Sequence, residues 1–413
     1  MPATRSQAMS SRSPSDYIGR IEGDLRGNIL PFWIGHAVNP KGGFLGSLTN
    51  DLRPDPSVER GALLTARILW TFSAAYREYR DPIYLQMAER AYADLMGAFH
   101  DAHHGGFWWS VASDGAVLRD RKQVYGQAFA IYALSEYHAA TGLREPLYQA
   151  IAVYRLIEGF ARDRRDGGYF EAFSREWEPI ADQRLSAVDQ NDPKSQNTHL
   201  HVLEAYTRLL NVWPDPVLRI ALSELLEIML TRIADPESGH LGLFFTTDWV
   251  RTSERISYGH DIEAAWLFTR AAEAFGDPVL TARVHRLASH IADVTLAEGV
   301  DADGGVFNEG GPGGLTNTNK EWWPQAEAVV GFLNAYQISR HERYLAAALR
   351  TWDFIEARLI DRANGEWFRG VTREGDLLAG ELKVSFWKCP YHNGRTGLEA
   401  VHRLKNLVEN PEG

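Results

Sequence analysis

Asp101-Ala102-His103-His104-Gly105-Gly106-Phe107 is a polar turn that ends in two glycines and an aromatic residue, and related turns recur along the whole chain. The glycine motifs are Gly42-Gly43-Phe44, Gly105-Gly106-Phe107, Gly167-Gly168-Tyr169, Gly239-His240-Leu241, Gly304-Gly305-Val306 and Gly365-Glu366-Trp367. Their first glycines are 63, 62, 72, 65 and 61 residues apart. Because Asp and Gly favour turns and an apolar residue can begin a strand, the pattern predicts six repeats with hairpin-like loops. We interpret the Asp-rich turns as solvated loops.

Between the turns, apolar residues follow helical spacing in two stretches per repeat. The predicted helices are 17–34, 61–79, 83–100, 121–141, 145–162, 195–212, 215–233, 260–275, 278–296, 323–340, 342–358 and 393–408. Along the chain, amphipathic helices alternate with helices that are apolar around more of their circumference. This is expected if outer and inner helices alternate. The fold predicted is an all-α (α/α)6 barrel of twelve helices in six pairs, with hairpin loops at one mouth. An open α-solenoid also has helix-pair repeats, but six long repeats favour a closed ring.

The composition describes a globular protein with a large core: 413 residues, 45% hydrophobic and 11% aromatic, with a net charge of −11. The acidic balance makes a nucleic acid or an anionic membrane surface an unexpected partner. A single cysteine excludes an intramolecular disulfide, and no apolar run is long enough to span a membrane. We expect a cytoplasmic monomer or homodimer, with a flexible tail over residues 1–15 and one catalytic domain over residues 16–413.

Polar residues cluster where the predicted inner helices begin, and all six inner helices contribute. The candidates are Arg67, Tyr125, Asn197, His201, His260, Glu263, Trp323, Glu327 and His392. At 100° per residue Asn197 and His201 share a helix face, whereas His199 points elsewhere. His260 and Glu263 are three residues apart, so the carboxylate can hold the imidazole tautomer. Trp322, Trp323 and Trp387 lie at helix starts or in loops and suit sugar stacking.

Three other interpretations of these residues are a metal site, a glycoside hydrolase and a carbohydrate-binding module. A metal site is disfavoured because no HExxH or similar paired spacing exists. Glycoside hydrolysis needs two facing carboxyl groups, for which Glu263, Glu327 and Asp189 are candidates, but several histidines favour proton transfer at carbon. A carbohydrate-binding module could use the tryptophans alone, yet it has no need of three histidines in the cavity.

Four longer strings identify a family. Lys194-Ser-Gln-Asn-Thr-His-Leu-His-Val-Leu-Glu-Ala-Tyr206, Tyr258-Gly-His-Asp-Ile-Glu-Ala264, Trp322-Trp-Pro-Gln-Ala-Glu-Ala328 and Phe386-Trp-Lys-Cys-Pro-Tyr-His-Asn393 resemble the cellobiose 2-epimerases. This group lies within the N-acylglucosamine 2-epimerase and mannose isomerase superfamily, whose members have (α/α)6 barrels. The resemblance covers nearly the whole chain after the first fifteen or so residues.

The resemblance implies reversible inversion at C2 of the reducing-end glucose of a β-1,4-linked disaccharide, without cofactor or metal. By that similarity His260 and His392 are an acid/base pair, and His201 assists in proton transfer. The residues that the similarity assigns to substrate binding are Arg67, Tyr125, Asp189, Asn197, Glu263, Trp323 and Trp387. Trp322 and Glu327 join them as our own candidates from their place near the mouth.

The chemistry fits these residue types. The C2 hydrogen of an aldose is acidic only in the open-chain form, and a histidine of near-neutral pKa can catalyse ring opening and proton removal. The resulting cis-enediolate is stabilised by donors such as Arg67. Return of the proton to the opposite face of C2 inverts it, whereas return to C1 yields a ketose. An aldose-ketose isomerase acting on mannose or related free sugars is therefore the alternative.

Overall fold

The computed structural model describes residues 13–410, which form a ring of paired helices. The helices are α1 (Pro14–Asp24), α2 (Leu30–Gly35), α3 (Ala62–Tyr79), α4 (Pro82–Asp94), α5 (Val124–Thr141), α6 (Arg144–Leu156), α7 (Gln196–Val212), α8 (Pro216–Ile228), α9 (Tyr258–Phe275), α10 (Pro278–Val294), α11 (Trp322–Ser339), α12 (Glu342–Arg358) and α13 (Tyr391–Glu409). A π-helical turn, Leu25–Ile29, joins α1 to α2 into one outer helix. The predicted tail lies outside the described residues as far as residue 12, and α1 already begins at Pro14.

The ring closes through the last helix. Six inner helices, α3, α5, α7, α9, α11 and α13, pack in sequence, and α13 contacts both α11 and α3. The remaining helices pack outside them, with α1 against α13. An open solenoid would leave α3 and α13 without this contact, so the predicted (α/α)6 barrel is confirmed.

Three outer helices begin with the same Asp-Pro pair. Asp81 caps α4 by accepting a hydrogen bond from the Ile83 amide, and Asp215 and Asp277 cap α8 and α10 in the same way. The proline that follows lacks an N–H and has a backbone angle suited to the first helical turn. These signals make helix starts sharp at the end of the barrel opposite the hairpin loops.

Short strands join neighbouring repeats at one mouth. They are β1 (Arg60–Gly61), β2 (Ser110–Val111), β3 (Val117–Arg119), β4 (Lys122–Gln123), β5 (Ala172–Phe173), β6 (Lys194–Ser195), β7 (Phe244–Phe245), β8 (Ile256–Ser257), β9 (Glu309–Gly311), β10 (Gly314–Asn317), β11 (Lys320–Glu321) and β12 (Gly370–Val371). The strand before an inner helix pairs antiparallel with a strand of the next repeat, as β1 does with β2 and β6 with β7. The loops therefore hold the first turns of the inner helices together around the mouth.

The Asp-rich turns are solvated only beyond their first residue, so that interpretation holds in part: residues 102–103 and 164–165 are exposed, but the leading Asp is not. Asp101 and Asp163 are buried and form ion pairs with Lys122 and Lys194, at 2.9 and 2.7 Å. Each lysine lies on the strand before the next inner helix. Burial raises the pKa of Asp163, but the bond from Lys194 outweighs it, so the pKa is lowered. The pairing joins residues about 20 to 30 positions apart, which turn chemistry alone does not reveal.

None of the helices described combines the length and apolar character needed to cross a membrane.

Candidate active site

The first turns of the inner helices surround one cavity of about 550 Å³, the mouth cavity. It is lined by Arg67, Tyr125, Asn197, His201, His260, Glu263, Glu321, Trp322, Trp323, Arg369, Trp387 and His392. Ten of these come from the twelve candidate site residues, because the helical phase and the shared mouth bring them together. Glu321 and Arg369, which precede α11 and β12, were not expected.

A second cavity of about 810 Å³, the side cavity, adjoins the first. Asn197, His260, Glu321 and Trp323 line both cavities. Asp189 lies in the side cavity, half-buried, and accepts a hydrogen bond from the Ser186 hydroxyl at 2.6 Å. The structure thus places Asp189 next to the mouth cavity and not within it.

Each of the three predicted histidines is held through its Nδ1 atom. His201 contacts Glu204 at 2.9 Å and His392 contacts Glu327 at 2.6 Å. A carboxylate can only accept from the ring, so Nδ1 carries the proton in both and Nε2 is left as the basic nitrogen. The Nδ1 atom of His260 lies 2.8 Å from the Ser257 hydroxyl. Glu327, proposed from the sequence as a substrate contact, instead holds His392 from below the cavity.

Glu263 does not hold His260, so the pairing expected from their i, i+3 spacing was wrong. Its Oε1 atom accepts a hydrogen bond from Arg395 at 2.6 Å. Its Oε2 atom has no partner among the described residues, and the side chain lines the mouth cavity. The attraction of the Glu263 carboxylate to the buried Arg395 guanidinium outweighs the contact with His260 that their shared helix face would allow. One oxygen of Glu263 remains for a ligand hydroxyl.

Arg395 is the central residue beneath the cavity, and it was not among the residues predicted from the sequence. Its guanidinium bonds Glu204, Glu263 and Glu327, and all four side chains are almost fully buried. Glu263, Glu327 and His392 lie close enough together to hold a cation, but Arg395 already supplies positive charge to both carboxylates. Arg395 lies three residues after His392 on the same helix, and this spacing could have identified it from the sequence.

The environment keeps the histidines neutral. Burial is the largest cause, and it lowers the pKa of His260 to about 3 and that of His392 well below 6.5, with Arg67 and Arg395 adding to the effect on His392. Burial also lowers the pKa of His201. Burial opposes ionisation of Glu204, but Arg395 and His201 outweigh it and lower its pKa to about 2. The imidazoles are therefore neutral at pH 7 and have a ring nitrogen free to accept a proton, but in this state each is a weaker base than the near-neutral histidine expected from the sequence.

Arg67 brings a cation to the wall of the mouth cavity. One terminal nitrogen donates to the Tyr125 hydroxyl at 2.7 Å. The Nε atom has no acceptor among the described residues. The guanidinium lies 4.2 Å from the centre of the Phe129 ring, an apolar surface that keeps water away and strengthens its electrostatic effect.

The tryptophans differ in exposure. The Trp323 ring centre lies 4.7 Å from that of His260 and 5.7 Å from that of His392, so this indole lies beside both imidazoles. Trp387 is also partly exposed, next to Tyr125 at 6.2 Å. Trp322 is only 3% exposed, and the Arg369 guanidinium covers its ring at 4.9 Å. The sugar platform expected at Trp322 is therefore not available.

The comparisons agree on one family. Residues 43–393 match the family model of N-acylglucosamine 2-epimerase. The chain is 42% identical to a cellobiose 2-epimerase of Bacteroides fragilis over 383 residues, 92% of this chain and 97% of that protein. It is 38% identical to a cellobiose 2-epimerase of Dictyoglomus turgidum over 381 residues, again 92% and 97%. The solved structure of a cellobiose 2-epimerase from Spirochaeta thermophila is 42% identical with a TM-score of 0.88, covering 96% of this chain and 98% of that one.

Proposed function

The chain belongs to the N-acylglucosamine 2-epimerase family and is a carbohydrate epimerase, and from this premise we propose that it inverts C2 of the reducing-end glucose of β-1,4-linked disaccharides. Cellobiose would give glucosylmannose, and lactose would give epilactose. The observation that carries this proposal is the pair of neutral imidazoles, His260 and His392, beside one indole in one cavity. Two bases at one carbon are the minimum requirement for inversion by proton transfer.

The reaction begins with ring opening. A neutral histidine takes the proton of the anomeric hydroxyl and returns it to the ring oxygen, so that the sugar becomes an aldehyde without net proton change. His201, held by Glu204, is the candidate for this transfer together with the acid/base pair. The aldehyde then acidifies the C2 hydrogen, so neither hydride transfer nor a Lewis acid is required.

Inversion follows in two proton transfers. One histidine of the pair removes the C2 proton and becomes an imidazolium, and the sugar becomes a cis-enediolate. Arg67 lies where its guanidinium can stabilise the oxyanion. The negative charge raises the proton affinity of the second histidine, which takes up a proton from solvent and delivers it to the opposite face of C2. The first histidine then releases its proton, so the reaction is balanced.

The side cavity gives room for the rest of the substrate. It continues from Trp323 and Asn197 towards Asp189 and contains further polar side chains. A second sugar ring placed there would leave the reducing end between the histidines. Partly exposed indoles at Trp323 and Trp387 offer apolar faces to the rings. This extra space favours a disaccharide over the free mannose of the isomerase alternative.

Proton NMR of the protein with cellobiose in deuterated water, with a chelator present, tests the proposal. We expect glucosylmannose with deuterium at C2. Methyl β-cellobioside is the matched control, because its blocked anomeric carbon prevents ring opening, and it should not react. A ketose as the main product, or turnover of free mannose alone, would assign the chain to the isomerases. Release of free glucose would indicate a hydrolase, and no exchange with either sugar would contradict the proposal.

The lowered histidine pKa values predict the pH profile. Since the basic form of His260 persists well below pH 6.5, kcat/KM should stay level as the pH falls through 6.5 and decline only at lower pH. Initial rates between pH 5 and 8 measure this. A half-maximal point at pH 6.5 would contradict it.

The folded fraction must be followed in the same buffers. Histidines with a folded-state pKa below the unfolded value bind fewer protons when folded, so stability is full above pH 6.5 and falls as the pH drops below it. Circular dichroism at each pH separates this loss from a change in the active site.

A further inference from the structure

Two of the six turns depart from the Gly-Gly pattern at the second glycine. The turn before α9 has His240, and the turn before α13 has Glu366. These two helices carry His260 and His392, the proposed acid/base pair. The turn before α7, which carries the assisting His201, keeps both glycines. The departures therefore coincide with the two histidines assigned to C2.

The second glycine of the other turns has a steric reason. A Cβ atom on Gly43 would lie 2.2 Å from the carboxylate of Asp94. A Cβ atom on Gly168 would lie 2.5 Å from the Trp249 ring. Both glycines also have positive φ, 62° and 78°, which L residues rarely adopt. Only a repeat whose surroundings are rearranged can carry a side chain here.

Glu366 occupies this position in a strained backbone conformation, and both of its carboxylate oxygens accept hydrogen bonds. Its φ is 64°, in the left-handed region, and its side chain is completely buried. Oε1 accepts hydrogen bonds from Lys388 and from Asn393, both at 2.6 Å, and Oε2 accepts from the Trp33 indole at 2.7 Å. Backbone strain of this kind is kept where the surroundings demand it, often at functional sites.

These hydrogen bonds hold residues 387–393, the segment that carries Trp387 and His392 at the mouth cavity. Lys388 follows Trp387, and Asn393 follows His392. One carboxylate oxygen thus connects the residue after the partly exposed indole with the residue after the histidine. Trp33 on α2 connects the same carboxylate to the outer ring of helices. Removal of this carboxylate would break one hydrogen bond next to Trp387 and another next to His392.

His240 makes the corresponding connection to the other histidine. Its Nδ1 atom lies 2.8 Å from Asp261, the residue after His260, and its Nε2 atom lies 3.2 Å from Glu298. Asp261 also accepts a hydrogen bond from the Leu241 amide at 2.9 Å. Burial lowers the pKa of His240, but its two carboxylate partners outweigh this and raise it.

We propose that His240 and Glu366 are positioning residues, each fixing one member of the acid/base pair through the residue that follows it on the inner helix. This inference rests on the proposed C2 inversion. Neither side chain lines the mouth cavity, so neither touches the sugar. Their effect is on the placement of the two bases about C2, and on the choice between returning the proton to C2 and returning it to C1.

Glu366→Gln tests the inference. The amide cannot pair with Lys388, and we expect kcat for cellobiose to fall by about tenfold or more, as displacement of a catalytic group does. The ketose fraction of the product should rise at the same time. This fraction is the decisive measurement, because a smaller amount of folded protein lowers the rate but leaves the product ratio unchanged. His240→Gln should likewise alter the ratio.

A second variant removes the effect of an unpaired buried lysine. Glu366→Met combined with Lys388→Met takes away both charges and should fold, yet kcat and the product ratio should remain altered. Glu399→Gln is the matched control. Glu399 lies on α13, the helix that carries His392, but outside the mouth cavity. The variant breaks its ion pair with Arg270 on α9 and should leave the product ratio unchanged.

Failure of the proposed function and failure of the positioning role give different results. Absence of C2 inversion in the unaltered protein would overturn the proposed function. Inversion by the unaltered protein, with kcat and product ratio unchanged in both Glu366→Gln and the double variant, would overturn the positioning role and leave the function standing.

Discussion

His392→Ala is expected to lower kcat/KM for C2 inversion of cellobiose by about 10²- to 10⁴-fold, the usual contribution of a positioned acid or base. His260→Ala should have an effect of the same size. In each variant one base remains, but the C2 proton of cellobiose lies on one face of C2 and faces only one of the two bases. The variant that keeps this base should still incorporate deuterium into unreacted cellobiose without inverting the carbon, as measured by NMR in deuterated water.

The control lies on the same helix. His402 on α13 is exposed and ten residues beyond His392, so His402→Ala should retain full activity. Circular dichroism should show intact helices in all three variants. Full inversion by either His260→Ala or His392→Ala would contradict the two-base mechanism, since a single base cannot deliver a proton to both faces of C2.

Arg395→Met should cause the largest loss of stability, about 3–5 kcal/mol or more in the free energy of unfolding, because it leaves buried carboxylates without their cation. Glu204, Glu263 and Glu327 all bond this guanidinium. Activity should be lost as well, since Glu204 and Glu327 orient His201 and His392. Denaturant unfolding monitored by circular dichroism measures the stability.

The pH dependence of this loss has a definite sign. Burial already raises the pKa of Glu263 and Glu327, and removal of Arg395 raises both further. A carboxyl whose folded pKa exceeds its unfolded value stabilises the fold at low pH and loses that effect as the pH rises. The deficit of Arg395→Met should therefore be smaller at pH 5 than at pH 8. An equal deficit at both values would contradict this view of the cluster.

Arg77→Met is the matched control for Arg395→Met. The Arg77 side chain is about half exposed, and its partner Glu136 also bonds Arg208. Because Arg208 still compensates the buried Glu136 carboxylate, loss of the half-exposed Arg77 should cost only about 1 kcal/mol in the free energy of unfolding. A comparable loss in both variants would show that the Arg395 cluster has no special role in stability.

Much of the fold could be read directly from local patterns. The six glycine turns and the helical stretches between them specify six helix pairs, and the structure has them within a few residues of the predicted bounds. Helix spacing also determines which residues begin each inner helix, and thus which ones reach the mouth. His199 illustrates this, because it points away from the cavity and accepts a hydrogen bond from the Tyr169 amide at 2.9 Å.

The partners of these residues were decided by the tertiary structure. Glu327 holds His392 across 65 positions, and Arg395 draws Glu263 away from His260 across 132 positions. Helical phase fixes where a side chain starts, but a buried charge takes the partner that best compensates its lost hydration, and that partner comes from another helix. The sequence by itself therefore determined the barrel and the ring of candidate residues. Only the closed ring decided which carboxylate orients which histidine.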